Sequence, residues 1–189
     1  MAYDGNTQCI RQAYRSRKWS LIRNLVDACS SSACLAEVFS VPARRVTVGG
    51  RTEWWSEYPV SEAGPLGQLL RSPSIFDLLQ YVIGAELSEQ VTTWAQSYQV
   101  GERIPWHCDK EGEIQLLLCL QPTDPECGGQ FCIRENGLQT SVDLSGGDAV
   151  LFKATALPHC TTRIVRTGRT NPRMRVSAAA RFFLADRAN

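Results

Sequence analysis

Two histidines stand in the 189 residues, and both sit where they could bind a metal. His107 falls in Trp106-His107-Cys108-Asp109. In extended backbone, residues two apart project to the same side, so His107 and Asp109 can grip one ion while Cys108 points away. His159, in Leu157-Pro158-His159 near the start of another strand-like stretch, supplies a third donor. Two imidazoles and a carboxylate on one face hold a metal while leaving three positions open to a cosubstrate and dioxygen. The same donors also suit other metals, so the choice of ion has to come from their surroundings.

Those surroundings are a run of short β-like segments. Val91–Val100, Ile114–Leu120, Gln130–Arg134, Gln139–Leu144, Ala149–Phe152, Thr161–Val165 and Arg173–Leu184 follow one another, separated by Gly, Pro and Asp. Such spacing predicts a sandwich, jelly roll or barrel. The first half reads differently. Apolar residues recur at helical spacing from Gln8 to about Cys29, and again from Pro65 to Gly84 with an interruption near Ser72-Pro73. Between these, Arg45–Val60 reads as a hairpin turning at Gly49-Gly50, with an aromatic second arm. The expected architecture is α+β, mainly β: residues 1–189 form one domain, with helices and a hairpin lid in 1–88 supporting a β core in 89–189.

In order, Ser97-Tyr98-Gln99-Val100-Gly101, His107-Cys108-Asp109, Gly128-Gly129-Gln130-Phe131 and Gly146-Gly147-Asp148-Ala149-Val150-Leu151-Phe152 precede His159. This series, within residues 94–184, resembles the Fe(II)/2-oxoglutarate-dependent dioxygenases. The resemblance implies a double-stranded β-helix (jelly roll) core, an iron site at His107, Asp109 and His159, and oxidative decarboxylation of 2-oxoglutarate to succinate and carbon dioxide coupled to C–H oxidation. Arg175-Val176-Ser177 resembles the family's Arg-x-Ser pair, in which the arginine fork holds the distal carboxylate of 2-oxoglutarate. Arg169 competes for that role, because prolyl-hydroxylase-like members place their cation about ten residues after the histidine. Tyr98 shares a strand face with Gln96 and Trp94, and the resemblance implies that this face, with the Tyr98 hydroxyl, reaches the cosubstrate. If Thr161–Val165 and Arg173–Leu184 pair as a hairpin, then Arg175, Ser177, Ala179 and Arg181 share one face, with Arg181 nearest His159. Asp109 argues against the related halogenases, which carry a small residue there.

Two branches fit. The stretch Gln96–Glu111 and the ending Arg175-x-Ser177-x-x-x-Arg181 are similar to AlkB-like demethylases of alkylated nucleobases. Gln96 and Ala178-Ala179-Ala180 depart from that branch, and Gly128-Gly129 is more similar to prolyl-hydroxylase-like and small-molecule hydroxylases. Twenty basic against nineteen acidic residues leave a net charge of +1, which advertises no phosphate-binding surface, although Arg163, Arg166, Arg169 and Arg173 could form a local patch. The favoured expectation is therefore oxidation of a small polar metabolite. Its pocket is expected between Trp55, Glu53 and Tyr58 of the hairpin, with Trp54 and Arg51, and Arg103 and Trp106 opposite. A jelly-roll binding protein without the chemistry, or a cupin-like enzyme with another metal, is the further alternative.

The N-terminus lacks a signal-peptide pattern, and no apolar run approaches the ~18–20 residues of a membrane span, so a cytoplasmic location is expected. The eight cysteines include no Cys-x-x-Cys pair, which reads as reduced thiols and not as a structural zinc site.

Overall fold

A computed structural model describes residues 5–48, 53–168 and 172–185, with backbone alone at 5, 48 and 53. Helix α1 (Gly5–Arg17) stops at Lys18, whose left-handed backbone (φ 64°) turns the chain into strand β1 (Trp19–Ile22). The single helix expected over Gln8–Cys29 is thus three elements. Trp19 and Ile22 fit a helical stripe, yet they lie buried on a strand because the edge of β9 (Ala149–Phe152) offers backbone partners, Trp19 opposite Phe152 and Ile22 opposite Ala149. Helix α2 (Ala28–Ser40) starts at Asp27, whose carboxylate accepts the Ser30 N–H at 2.9 Å. Ser30-Ser31-Ser32 therefore begins a helix where the sequence suggested a break.

Strands β2 (Arg44–Val48) and β3 (Glu53–Pro59) form the expected hairpin; Gly49-Gly50 and Arg51 lie outside the described residues. Helices α3 (Pro65–Leu70) and α4 (Pro73–Ile83) part where expected, with Ser72 capping α4 and Pro73 in its first turn. The remaining strands are β4 (Leu87–Tyr98), β5 (Ile104–His107), β6 (Ile114–Gln121), β7 (Phe131–Glu135), β8 (Leu138–Val142), β10 (His159–Thr161) and β11 (Arg175–Leu184).

They make two antiparallel sheets, one ordered β1-β9-β6-β11-β4-β3-β2 and the other β5-β10-β7-β8, which is the predicted mainly β jelly roll with helical support. One face of the large sheet, with Leu116, Leu118, Ala178 and Phe182, packs on Ile10, Tyr14, Leu66, Leu79 and Val82 of the helices. The other face, with Leu117, Cys119, Val150, Phe152 and Ala179, packs on Phe131 and Ile133 of the small sheet. No helix among the described residues is long and apolar enough to cross a membrane.

The hairpin between Thr161–Val165 and Arg173–Leu184 does not exist. β10 lies between β5 and β7, whereas β11 lies between β4 and β6 in the other sheet. From β8 to β11 successive strands alternate between the sheets, so β10 and β11 face each other across the core instead of pairing. The β2–β3 hairpin also differs from a free lid, because β3 pairs along β4 and extends the large sheet.

Candidate metal centre and cosubstrate pocket

His107 ends β5 directly opposite His159 at the start of β10, and their ring centroids are 4.2 Å apart. Each ring is fixed the same way: His107 Nδ1 lies 2.8 Å from the Pro105 carbonyl and His159 Nδ1 lies 2.9 Å from the Leu157 carbonyl. Since a carbonyl only accepts, both Nδ1 atoms carry the proton and both Nε2 lone pairs are free for a metal. Burial, with the neighbouring His107 adding to it, drives the pKa of His159 down to about 4, so its imidazole is neutral near pH 7.

Asp109 follows β5, its backbone N–H bonded to the Ala154 carbonyl at 3.0 Å. Its Oδ1 lies 3.6 Å from His107 Nε2. The donor atoms of His107, Asp109 and His159 all fall within 4.8 Å of one another, and this is the one such cluster among the described residues. Asp109 Oδ2 meets Arg181 Nη2 at 2.9 Å, and the same guanidinium lies over Trp94, 5.1 Å from the ring centre. Gly112 makes room for it: φ is +73°, and a Cβ there would collide with the Arg181 stem.

Behind the triad, β11 presents Arg175, Ser177, Ala179 and Arg181 to the interior in alternation, opposite Tyr98, Gln96, Trp94 and Thr92 of β4. Arg175 is 3% exposed, and its Nη1 donates to the Gly129 carbonyl at 2.8 Å. Its Nε and Nη2, the Ser177 hydroxyl and the Tyr98 hydroxyl are buried without a well-formed hydrogen bond. Arg175 and Thr161 lie beside Tyr98, with Glu57 and Glu102 acting on it more weakly, and burial holds its phenol far above its ordinary pKa and so neutral. Such groups are costly to bury unpaired, about 1–3 kcal/mol each. Together they describe a cradle with donors for an acceptor-rich anion. Arg169 lies outside the described residues.

A cavity of about 260 Å³ opens on the triad, lined among others by Trp55, Glu57, Trp94, Gln96, Gln115 and Arg181. A larger cleft of about 600 Å³ at the other end of the barrel touches Arg173 and Arg175 and includes none of the triad. Trp55 is where the sequence suggested. Tyr58 is not: three positions from Trp55, it faces the helices, with its hydroxyl 3.2 Å from Ser97 Oγ and its ring edge-on to Phe39. Trp106 also faces away, because its neighbour His107 faces in, and it stacks under Arg134. Arg103 sits in the turn before β5, its N–H on the Trp54 carbonyl, outside the cavity lining. The side chain of Glu53 lies outside the described residues. Glu57, which the sequence reading missed, is in the wall; alternation from Trp55 was the available signal. Its carboxylate is held by Trp55 Nε1 at 3.1 Å and by the exposed Arg44 at 2.8 Å. Gln115 was also missed, and its buried Oε1 has no partner.

No protein-family profile and no curated protein matches the sequence. Solved structures do. A prolyl-4-hydroxylase from Pseudomonas putida superposes with a TM-score of 0.77 at 16% identity, over 95% of this chain and 99% of that one. A 2OG-Fe(II) oxygenase family oxidoreductase from Burkholderia pseudomallei gives 0.77 at 14%, over 97% and 93%. The chain has the fold of the 2-oxoglutarate-dependent oxygenases. HygX from Streptomyces hygroscopicus, solved with nickel, 2-oxoglutarate and hygromycin B bound, shares this oxygenase fold with a TM-score of 0.73 at 13% identity, over 95% and 88%.

Proposed function

We propose that this protein is an Fe(II)- and 2-oxoglutarate-dependent oxygenase acting on a C–H bond of a small polar molecule. The observation that carries the reading is the pairing, in one barrel, of a His-Asp-His donor set with a buried arginine holding two unpartnered nitrogens. Either alone is common; together they match a metal and a dicarboxylate chelated to it. When bound, iron and 2-oxoglutarate supply the oxidation, with succinate and carbon dioxide released.

The chain's own residues do the rest. His107, Asp109 and His159, which line the cavity together, would hold the metal. Arg175 grips the distal carboxylate, with Ser177 and Tyr98 donating beside it, and Gln96 lies on the same wall. Arg181 holds Asp109 in place. Phe131, Leu117 and Ile104 keep water from the reacting centre. Trp55 and Glu57 supply a flat wall and a charge against which a substrate can be oriented.

The cavity supports a small substrate, being below the ~300–1,000 Å³ usual for ligand pockets while also serving the cosubstrate. Arg163, one of the arginines that could meet phosphates, is turned onto the Gly101 carbonyl, which counts against the nucleobase reading. The test is succinate release from 2-oxoglutarate under air with Fe(II). Wild type should form it and Asp109→Ala should not, while keeping its circular dichroism; equal rates would overturn the assignment.

A further inference from the structure

Two of the eight free thiols face each other beside the proposed metal ligand. Cys132 on β7 and Cys160 on β10 are direct register partners, and His159 pairs with Ile133 one step along. Backbone bonds from Thr162 to Gln130 and from Arg134 to Pro158 flank the pair symmetrically. That makes 132 and 160 a hydrogen-bonded pair, whose Cα atoms stand about 5.5 Å apart, with side chains on the same sheet face. Disulfides span Cα separations of about 4.4–6.8 Å. Both residues are buried, at 1% and 6% exposure, but Cys160 also borders the metal cavity.

We propose that Cys132 and Cys160 are an oxidative modification site, in which hydrogen peroxide joins them as a cross-strand disulfide and displaces His159. The first sulfur attacks the peroxide: an S–O bond forms, the O–O bond breaks, and hydroxide leaves and takes up a thiol proton as water. The second sulfur attacks the resulting sulfenic acid: the S–S bond forms, the S–O bond breaks, and a second water departs. The two sulfurs are oxidised by two electrons and the peroxide is reduced by two. The Cα separation suits a disulfide, but closing the bond must bring the Cβ atoms from about 5.5 Å, usual for a hydrogen-bonded pair, to about 3.5–4.5 Å, which draws β10 toward β7 at the residue next to His159. The effect on the metal rests on the function proposed above; the cross-link does not.

The experiment uses the full chain, freed of metal with chelator and incubated with excess hydrogen peroxide, then alkylated in denaturant and digested without reductant. Mass spectrometry should find the Cys132 and Cys160 peptides joined with loss of two hydrogens, and dithiothreitol should separate them. The oxidised protein should bind Ni(II) about tenfold more weakly than the reduced protein, the size of effect expected when a ligand's support is disturbed. In Cys132→Ala, peroxide should leave Ni(II) affinity unchanged. If the exposed Cys9, Cys29 and Cys108 oxidise while Cys132 and Cys160 both carry the alkyl label, the proposal is wrong. A linked pair with unaltered Ni(II) affinity would overturn the displacement of His159. Reduced protein that binds no Ni(II) would instead count against the metal centre, with the peptide map still deciding the cross-link.

Discussion

Arg181 reaches across the cavity floor to Asp109, Nη2 to Oδ2 at 2.9 Å, and so ties a strand of the large sheet to a proposed metal ligand after the last residue of β5. Oδ1 is left facing His107. Removing the guanidinium frees the carboxylate to rotate and leaves a mostly buried charge without its counter-ion. Arg181→Met should therefore weaken Ni(II) binding about tenfold by calorimetry, in the range seen when a ligand's supporting contact is lost. Unchanged affinity would show that Asp109 needs no such anchor.

Arg175 makes a different prediction, because its worth lies in a ligand and not in the empty barrel. Arg175→Met removes two buried unpartnered nitrogens along with one bond to Gly129. Thermal stability without ligand should change little. Affinity for 2-oxoglutarate, by contrast, should fall about ten- to a hundredfold, since a charged contact of this kind is worth ~1.5–3 kcal/mol.

Two of the three aromatic residues of β3 that the sequence grouped together should separate on mutation. Trp55→Ala opens the cavity wall and should raise the KM for substrate. Tyr58→Phe removes only a hydroxyl bonded to Ser97 on the helical side and should leave substrate KM and 2-oxoglutarate turnover at wild-type values.

Asp148 gives a test of stability with a pH signature. It is 1% exposed and accepts bonds from the Asn24 and Ser145 N–H groups, both at 2.9 Å, and from Arg23 at 2.6 Å, fixing the turn into β9. Burial raises its pKa, but these donors outweigh that and leave it below the ordinary carboxylate range. Arg23 is half exposed, so the backbone donors carry most of the effect. Asp148→Asn turns an amide against two donors and should cost about 2–4 kcal/mol at pH 7. A depressed carboxyl contributes fully above its unfolded value near 4 and loses that contribution as pH falls through the folded value. The gap between wild type and variant in urea melts should therefore narrow below about pH 4.

The triad was legible because alternation in extended backbone is a local rule: His107 and Asp109 needed no knowledge of the rest of the chain. The same rule placed Arg175, Ser177, Ala179 and Arg181 on one face even though the hairpin invoked for them was wrong. Partner choice is what local patterns cannot supply. Trp19–Ile22 fits a helix stripe as well as a strand, and the free edge of β9 decided it. Tyr58 and Trp106 were errors the rule itself could have prevented. A residue three places from Trp55, or one from His107, cannot share its face, and Glu57 can.

The central claim is that metal and 2-oxoglutarate occupy one site built from His107, Asp109, His159 and Arg175. Anaerobic visible absorption of the metal-free protein, titrated with Fe(II) and 2-oxoglutarate, tests it most directly. The account predicts a weak charge-transfer band that needs both additions and, in Arg175→Ala, far more 2-oxoglutarate. Iron bound with no such band at any 2-oxoglutarate concentration would contradict it and leave a metal-binding jelly roll of another kind.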